Sequence, residues 1–258
     1  LFGGYAGSFS ILQVPPLDLK QIEIIKGSSS ALYGGGGGAG MINIISKKPI
    51  EGKKERYLLI NQSTLRESNL HIYLSERSGK AGYTFFTGAS YQRQEDVNND
   101  GFSDLGRTES IFIHPTFFFY PNEKNTISVG ISSNYDDRKG GDMEILSGYY
   151  NNFHQFFIQN QTYRNTVDII WENTISSLDK LTVKGTTSSF NRNIGTPVFG
   201  MKAKQLSYFS EASYFKKIPK HDLVAGMNLT GENLRKKLPD STFITNYNYF
   251  AVGLFLQD

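Results

Sequence analysis

From residue 55 to the end of the chain, apolar and polar residues alternate with a period of two. The alternation comes in segments of roughly 10–13 residues broken by turns, and helical periodicity is missing throughout. It predicts strands near 55–63, 68–77, 81–94, 108–120, 125–135, 162–176, 181–193, 206–217, 223–232 and 247–258. Strands of globular domains usually run about 5–6 residues. These are about twice that, close to the ~9–11 residues with which a tilted strand crosses a bilayer.

The connections sort by length. In order they fall at 65–67, 78–80, 95–107, 121–124, 136–161, 177–180, 194–205, 219–222 and 233–246. Every second one is a tight turn such as Pro121-Asn122-Glu123-Lys124 or Pro219-Lys220-His221-Asp222. The others, apart from 65–67, are mostly long. An up-and-down sheet with short turns on one side and long loops on the other is the pattern of outer-membrane barrels. A soluble sandwich with one polar face, the plain alternative, has no reason to sort its loops in this way.

The faces agree. Val167, Ile169 and Trp171 share one phase and Asp168, Ile170 and Glu172 the other. Ile127, Val129 and Ile131 oppose Ser128, Gly130 and Ser132. Leu181 and Val183 oppose Lys184, and Leu223, Ala225, Met227 and Leu229 oppose Gly226, Asn228 and Thr230. A basic charge at the lipid midplane costs ~2–4 kcal/mol, so Asp168, Glu172 and Lys184 are expected to face a lumen. Segment 206–217 is ambiguous, because Glu211 shares its phase with Phe209 and Phe215, and the first strand does not alternate cleanly.

Composition narrows the classes. The 258 residues include 19 Phe, 15 Tyr and 1 Trp, or 14% aromatic, too many rings for a disordered segment to leave unburied. No apolar stretch approaches the ~18 residues of a spanning helix. A net charge of +3 gives no basic footprint for nucleic acid. With no cysteine, thiolate zinc sites and Cys nucleophiles are excluded. No G-x-S-x-G string or paired-carboxylate signature points to an enzyme. The chain opens on Leu1-Phe2-Gly3 without an initiator Met and stops inside an aromatic-apolar run at Gly253-Leu254-Phe255-Leu256, so it is expected to be a piece of a longer protein.

Residues 1–48 differ from the rest. Two β-branched runs, Gln21-Ile22-Glu23-Ile24-Ile25-Lys26-Gly27 and Met41-Ile42-Asn43-Ile44-Ile45-Ser46-Lys47-Lys48-Pro49, flank Ala31-Leu32-Tyr33-Gly34 and a glycine run ending at Gly40. This stretch resembles the end of the plug domain of TonB-dependent outer-membrane receptors, whose motifs read I-E-x-[IV]-x-[KR]-G-P-x-[AS]-x-L-Y-G and G-x-[IV]-N-[IV]-I-[ST]-K-x-P. Ile22, Glu23, Lys26, Gly27, Leu32, Tyr33, Gly34, Asn43 and Lys47 carry the match; Ser28 stands where the motif has Pro, and Met41 where Val or Leu is usual. The resemblance covers about 30 residues. It implies an all-β fold: an antiparallel transmembrane β-barrel of which about ten strands are present, preceded by the end of a plug. The expected boundaries are 1–48 for the plug and 49–258 for the barrel. Ten strands leave no room for a plug, and plugged lumens belong to barrels of about 22 strands.

The resemblance further implies an import receptor in the bacterial outer membrane, in contact with its lipid. Its cargo would be a scarce small molecule, most often a ferric siderophore or similar iron or cofactor complex. An inner-membrane TonB complex would drive it through an upstream region, with no nucleic acid and no required cofactor. A passive porin or surface adhesin is the alternative. Ligand contact is expected from Phe2, Tyr5 and Phe9 on the plug and from Tyr149, Tyr150 and Phe153 on an outer loop. That loop is also readable as the aromatic girdle of the outer interface.

Three further motifs have plainer readings. Gly35-x-Gly37-x-x-Gly40 spells a dinucleotide string, but a strand-like run follows where a helix is required. Asp96-Val97-Asn98-Asn99-Asp100-Gly101, with Asp104 at the ninth position, begins like a calcium loop, yet Arg107 occupies the twelfth. An Asx-rich loop turned by Asp100-Gly101 is the preferred reading, with calcium as a structural extra. His154 as a haem or metal ligand has no neighbouring His in sequence.

Overall fold

The computed structural model of the chain describes residues 17–26, 40–149, 153–237 and 245–258. They form β1 (Leu19–Lys26), β2 (Gly40–Ser46), β3 (Lys54–Gln62), β4 (Glu67–Ser78), β5 (Ala81–Gln92), β6 (Arg107–Asn122), β7 (Asn125–Gly141), α1 (Met143–Leu146), β8 (Phe157–Thr174), β9 (Asp179–Gly195), β10 (Gly200–Ile218), β11 (His221–Lys236) and β12 (Tyr247–Gln257). β1 and β2 pair as a separate antiparallel sheet, and β3 to β12 form one ten-stranded sheet in which each strand pairs with its neighbours in sequence. All ten strands expected from the alternation are present. The two-stranded sheet ends at Ser46 and the large sheet begins at Lys54.

Two connections differ from the sequence expectation. The loop expected over 136–161 is confined to 142–156, because β7 runs on to Gly141 and β8 already starts at Phe157. The long loop expected over 194–205 is a tight turn: β9 and β10 stay paired up to Gly195 and Gly200, and Thr196 N donates to Phe199 O at 2.7 Å. Gly195, Pro197 and Gly200 read as loop residues, but Met201, Ala203 and Gln205 alternate inward and carry the ladder past them. The 19 residues of β10 span ~60 Å along the strand and roughly 45 Å when tilted, well above the ~25 Å apolar band of such barrels.

The two faces are sorted as expected. On β8, Tyr163, Val167, Ile169 and Trp171 are exposed, while Asn160, Thr162 and Arg164 are buried. On β7, Ile131 and Tyr135 point out and Ser128, Asn134 and Asp136 in. The inner face crowds its side chains, with Tyr73, Phe86, Phe190 and Leu234 buried among Ser75, Thr84, Thr116 and Gln205. Gly130 belongs to this face, where a Cβ would lie 2.5 Å from Asp168 Oδ1. Outward, Tyr83 and Trp171 lie toward the short turns, with Tyr91 and Tyr163 eight positions away toward the loops. Eight residues of tilted strand rise ~20 Å, which spaces these rings as interfacial girdles.

The ambiguous strand resolves by pairing. Glu211 sits opposite Lys184 in the ladder, and the two form an inner-face ion pair at 2.9 Å. Phe209 and Phe215 therefore face the lumen, where the Lys184 ammonium lies 5.8 Å from the Phe209 ring. Tyr208 and Tyr214 face outward in their place.

Candidate ligand-binding lumen and plug seam

The β1–β2 hairpin meets the inner wall through a few polar contacts. Asp18 Oδ2 lies 3.0 Å from His114 Nδ1, and the other ring nitrogen is 3.3 Å from Thr116 Oγ1. Lys47 Nζ donates to Leu17 O at 2.7 Å and lies 5.2 Å and 4.9 Å from the Tyr57 and Tyr73 ring centres. Desolvated ammonium–ring contacts of this kind contribute roughly 1–2 kcal/mol. Lys48 Nζ donates to Glu172 Oε2 at 2.6 Å, and Lys180 takes the other oxygen of the same carboxylate.

Within the hairpin, Glu23 and Asn43 face each other in register, and Asn43 Nδ2 donates to Glu23 Oε2 at 2.8 Å. The two motif positions are thus a single cross-strand pair, with Gln21 Nε2 donating to the second Glu23 oxygen at 2.9 Å. Lys47, a third motif residue, clasps the hairpin to the wall. Ile22 and Lys26 lie on β1, while Gly27, Leu32, Tyr33 and Gly34 lie outside the described residues.

Higher on the inner wall the chemistry is cationic and hydrogen-bonding. Arg138, Arg164 and Arg192 project from β7, β8 and β9. Arg138 forks onto Asp136 (2.8 and 3.1 Å), Arg192 Nε donates to Asn160 Oδ1 at 2.7 Å, and the Arg164 guanidinium lies 4.6 Å from the Phe190 ring centre. Sequence reading missed these arginines as a group. Alternation places each on the inner face, but only the registers of β7, β8 and β9 show them stepping down the wall, Arg138 level with Asn160, Arg192 with Thr162, and Arg164 with Asn134 and Phe190.

Above the wall, two outer loops are stitched together. Ser103 N donates to Gly141 O, Gly141 N to Ser103 Oγ, and Met143 N to Gly101 O, all between 2.8 and 2.9 Å. Gly141 has φ +133°, and a Cβ there would lie 2.5 Å from Phe156 O, so this neck accepts only glycine. Asp142 caps α1 by accepting from Glu144 N at 2.9 Å, and its second carboxylate oxygen holds His154 Nδ1 at 2.6 Å. Tyr149 borders an open depression of about 470 Å³ with Met143, Glu144 and Ser147. Phe153 is 93% exposed on the same loop. The structure places Tyr149 and Phe153 on one outer loop, while Phe2, Tyr5, Phe9 and Tyr150 lie outside the described residues.

The calcium-like segment folds as nested Asx turns. Asp96 accepts from Asp100 N and Gly101 N, Asp104 from Val97 N and Asn98 N, and Asp100 from Phe102 N. Its carboxylates are turned onto the loop's own backbone. Among the described residues no group of three His, Cys, Asp or Glu side chains is placed to hold a metal ion. β2 begins at Gly40 where a dinucleotide fold requires a helix, which agrees with rejecting the nucleotide reading from the sequence.

Residues 1–41 match the TonB-dependent receptor plug domain. The chain is related to the TonB-dependent outer-membrane receptors. It is 29% identical over 121 residues to the ferrioxamine receptor of Yersinia enterocolitica, a match covering 47% of this chain and 16% of that protein. Its fold resembles that of the ferric yersiniabactin uptake receptor FyuA from Yersinia pestis (TM-score 0.70, 13% identity, 93% of this chain and 40% of the other). It also resembles the copper transporter OprC (TM-score 0.73, 12% identity, 91% and 38%). The chain thus spans less than half the length of the TonB-dependent receptors and transporters it matches. Its described residues have the fold of a plug hairpin and a barrel wall like those of these receptors.

Proposed function

We propose that this chain forms part of a receptor that imports a scarce metal chelate, most simply a ferric siderophore, by plug rearrangement coupled to an inner-membrane TonB complex. The observation that carries the reading is the seam. Among the described residues, a hairpin bearing the plug motif is held to the wall by discrete contacts of Asp18 with His114, Lys47 with the Tyr57 and Tyr73 rings, and Lys48 with Glu172, rather than by a continuous ladder. Such contacts break individually, so a pull from the periplasm releases the hairpin without unzipping the wall.

Cargo enters from the outer loops, where Tyr149 and Phe153 meet it first. It then descends along Arg138, Arg164 and Arg192, whose guanidiniums complement an anionic chelate. The names of similar proteins favour iron–siderophore cargo, with copper represented as well. The protein needs no covalent chemistry of its own, because capture and displacement suffice.

Uptake of radiolabelled ferric siderophores by cells expressing the full protein tests this. Accumulation that stops when the proton gradient is dissipated supports coupled import. Accumulation indifferent to the gradient rejects it in favour of a passive pore, and absence of both uptake and binding across a siderophore panel rejects the cargo class.

A further inference from the structure

Residues 48–53 join the hairpin to the wall and belong to neither sheet. Glu51 pairs with Arg77 as an isolated parallel bridge, whereas β3 pairs with β4 antiparallel. The linker therefore descends beside β4 and reverses before it climbs as β3. The reversal is a turn over residues 50–53, in which Lys53 N donates to Ile50 O at 3.1 Å. Gly52, its third residue, takes φ +72°, the left-handed conformation that such a turn requires there.

The linker is fixed to the inner face of the wall at Pro49, Glu51 and Gly52. Pro49 is buried over Gly82 of β5, where a Cβ would lie 2.9 Å from Pro49 Cγ. Gly52 N donates to Arg77 O at 3.2 Å. The Glu51 carboxylate accepts from two partners, Arg77 Nε at 2.8 Å and Gly79 N at 3.0 Å. The Arg77 guanidinium in turn lies 3.5 Å from the Tyr120 ring centre, and Tyr120 N donates to Lys80 O at 2.8 Å. One carboxylate thus connects the linker to β4, to the β4–β5 turn and, through Arg77, to β6.

The strand that follows is the weakest place for a pull to arrive. β3 has nine residues, the fewest of the ten wall strands, and among the described residues it bonds only β4. Its first residue, Lys54, is held by its register with Glu76 and an ion pair at 2.8 Å. Without Pro49 and Glu51, tension on the hairpin would fall on Lys54. With them it is shared among β4, β5 and β6, each bonded on both edges. A partly exposed ion pair contributes little to resting stability. The place of Glu51, ahead of β3 and across three strands, gives it an effect under tension instead.

We propose that residues 49–52 are a mechanical stop, which passes tension from a displaced plug into β4, β5 and β6 and so keeps β3 in the sheet. This rests on the reading of a plug pulled from the periplasm, and it names the point at which that pull ends.

Single-molecule force spectroscopy on the full protein in a lipid bilayer, pulled by a handle upstream of the hairpin, tests it. Extension at ~3.3–3.6 Å per residue locates each event along the chain. The wild type should release the plug first and lose β3 only in a later, separate event. At constant force, Glu51→Ala should shorten the lifetime of β3 about tenfold or more, as the loss of hydrogen bonds to a charged group implies. Its melting without load should match the wild type. Asp222→Asn cuts a pair with Lys217 at the same end of the wall, away from the linker, and should leave the lifetime unchanged. Loss of plug and β3 in one wild-type event, equal lifetimes in the wild type and Glu51→Ala, or equal shortening in Asp222→Asn would each overturn the stop. A melting loss in Glu51→Ala as large as its loss under load would overturn it too. Should that variant fail to fold, Arg77→Gln breaks the same link from the wall side. The instrument supplies the pull, so neither cargo nor TonB enters the outcome. Failed siderophore uptake leaves the stop standing, and a missing stop leaves coupled import standing.

Discussion

The β1–β2 hairpin and the ten-stranded wall are made of similar β-branched stock, yet they are held in different ways. In the wall, every strand from β4 to β11 is bonded on both edges, and β8, β9 and β10 run for 17–19 residues. In the hairpin, seven register pairs join two short strands, and Ile22, Ile24 and Ile42 remain exposed among the described residues. Among the described residues its polar attachment to the wall runs through Asp18, Lys47 and Lys48. Cooperative ladders resist local opening, whereas isolated polar contacts yield one at a time. In the proposed receptor this contrast divides labour between a fixed frame and a releasable stopper.

The largest effect should come from violating the lipid face. Val167→Arg, midway between the Tyr163 and Trp171 girdles on the outward face of β8, should cost ~2–4 kcal/mol of folding free energy, read as a loss of folded barrel in refolding titrations in detergent or lipid. A cavity on the inner face should have an effect of the same size. Phe86→Ala removes a buried ring and should cost ~3–5 kcal/mol if the site does not collapse, or less where water fills it. The same measurement reads it, and an effect below 1 kcal/mol would show the lumen to be already wet at this depth.

The seam should respond differently. Lys47→Ala removes the contacts to Tyr57, Tyr73 and Leu17 O. It should leave the barrel's melting nearly unchanged, while weakening the hairpin's hold by ~1–2 kcal/mol. Limited proteolysis of residues 1–48 should then quicken several-fold. Unchanged cleavage would break the distinction between frame and stopper. Asn43→Ala cuts one motif hydrogen bond and should cost ~1 kcal/mol, confined to the hairpin. Smallest of all, millimolar calcium should leave melting unchanged, since the carboxylates of 96–104 are turned onto their own backbone.

Much of the wall was legible in sequence because period-two alternation reports a face wherever water or a polar lumen lies on one side and lipid on the other. Lys184 and Asp168 could be placed from phase alone. Glu211 could not, because lumen-facing Phe209 and Phe215 break the simple rule, and only its partner across the ladder decides. Gly195 and Pro197 misled as loop signals, since a four-residue turn needs such residues as much as a long loop does. The seam was partly visible: the resemblance flagged Glu23, Asn43 and Lys47 without saying that two of them bond each other and the third grips two tyrosines. Asp18 and His114, 96 positions apart, carry no local signal. The three inner arginines needed register, which turn lengths control and periodicity does not.

The height of β7 to β10 bears on the proposed capture of a rare molecule. Where the mouth is hydrogen-bonded sheet rather than slack loop, a visitor meets a surface already in shape, and little motion has to be frozen as it settles.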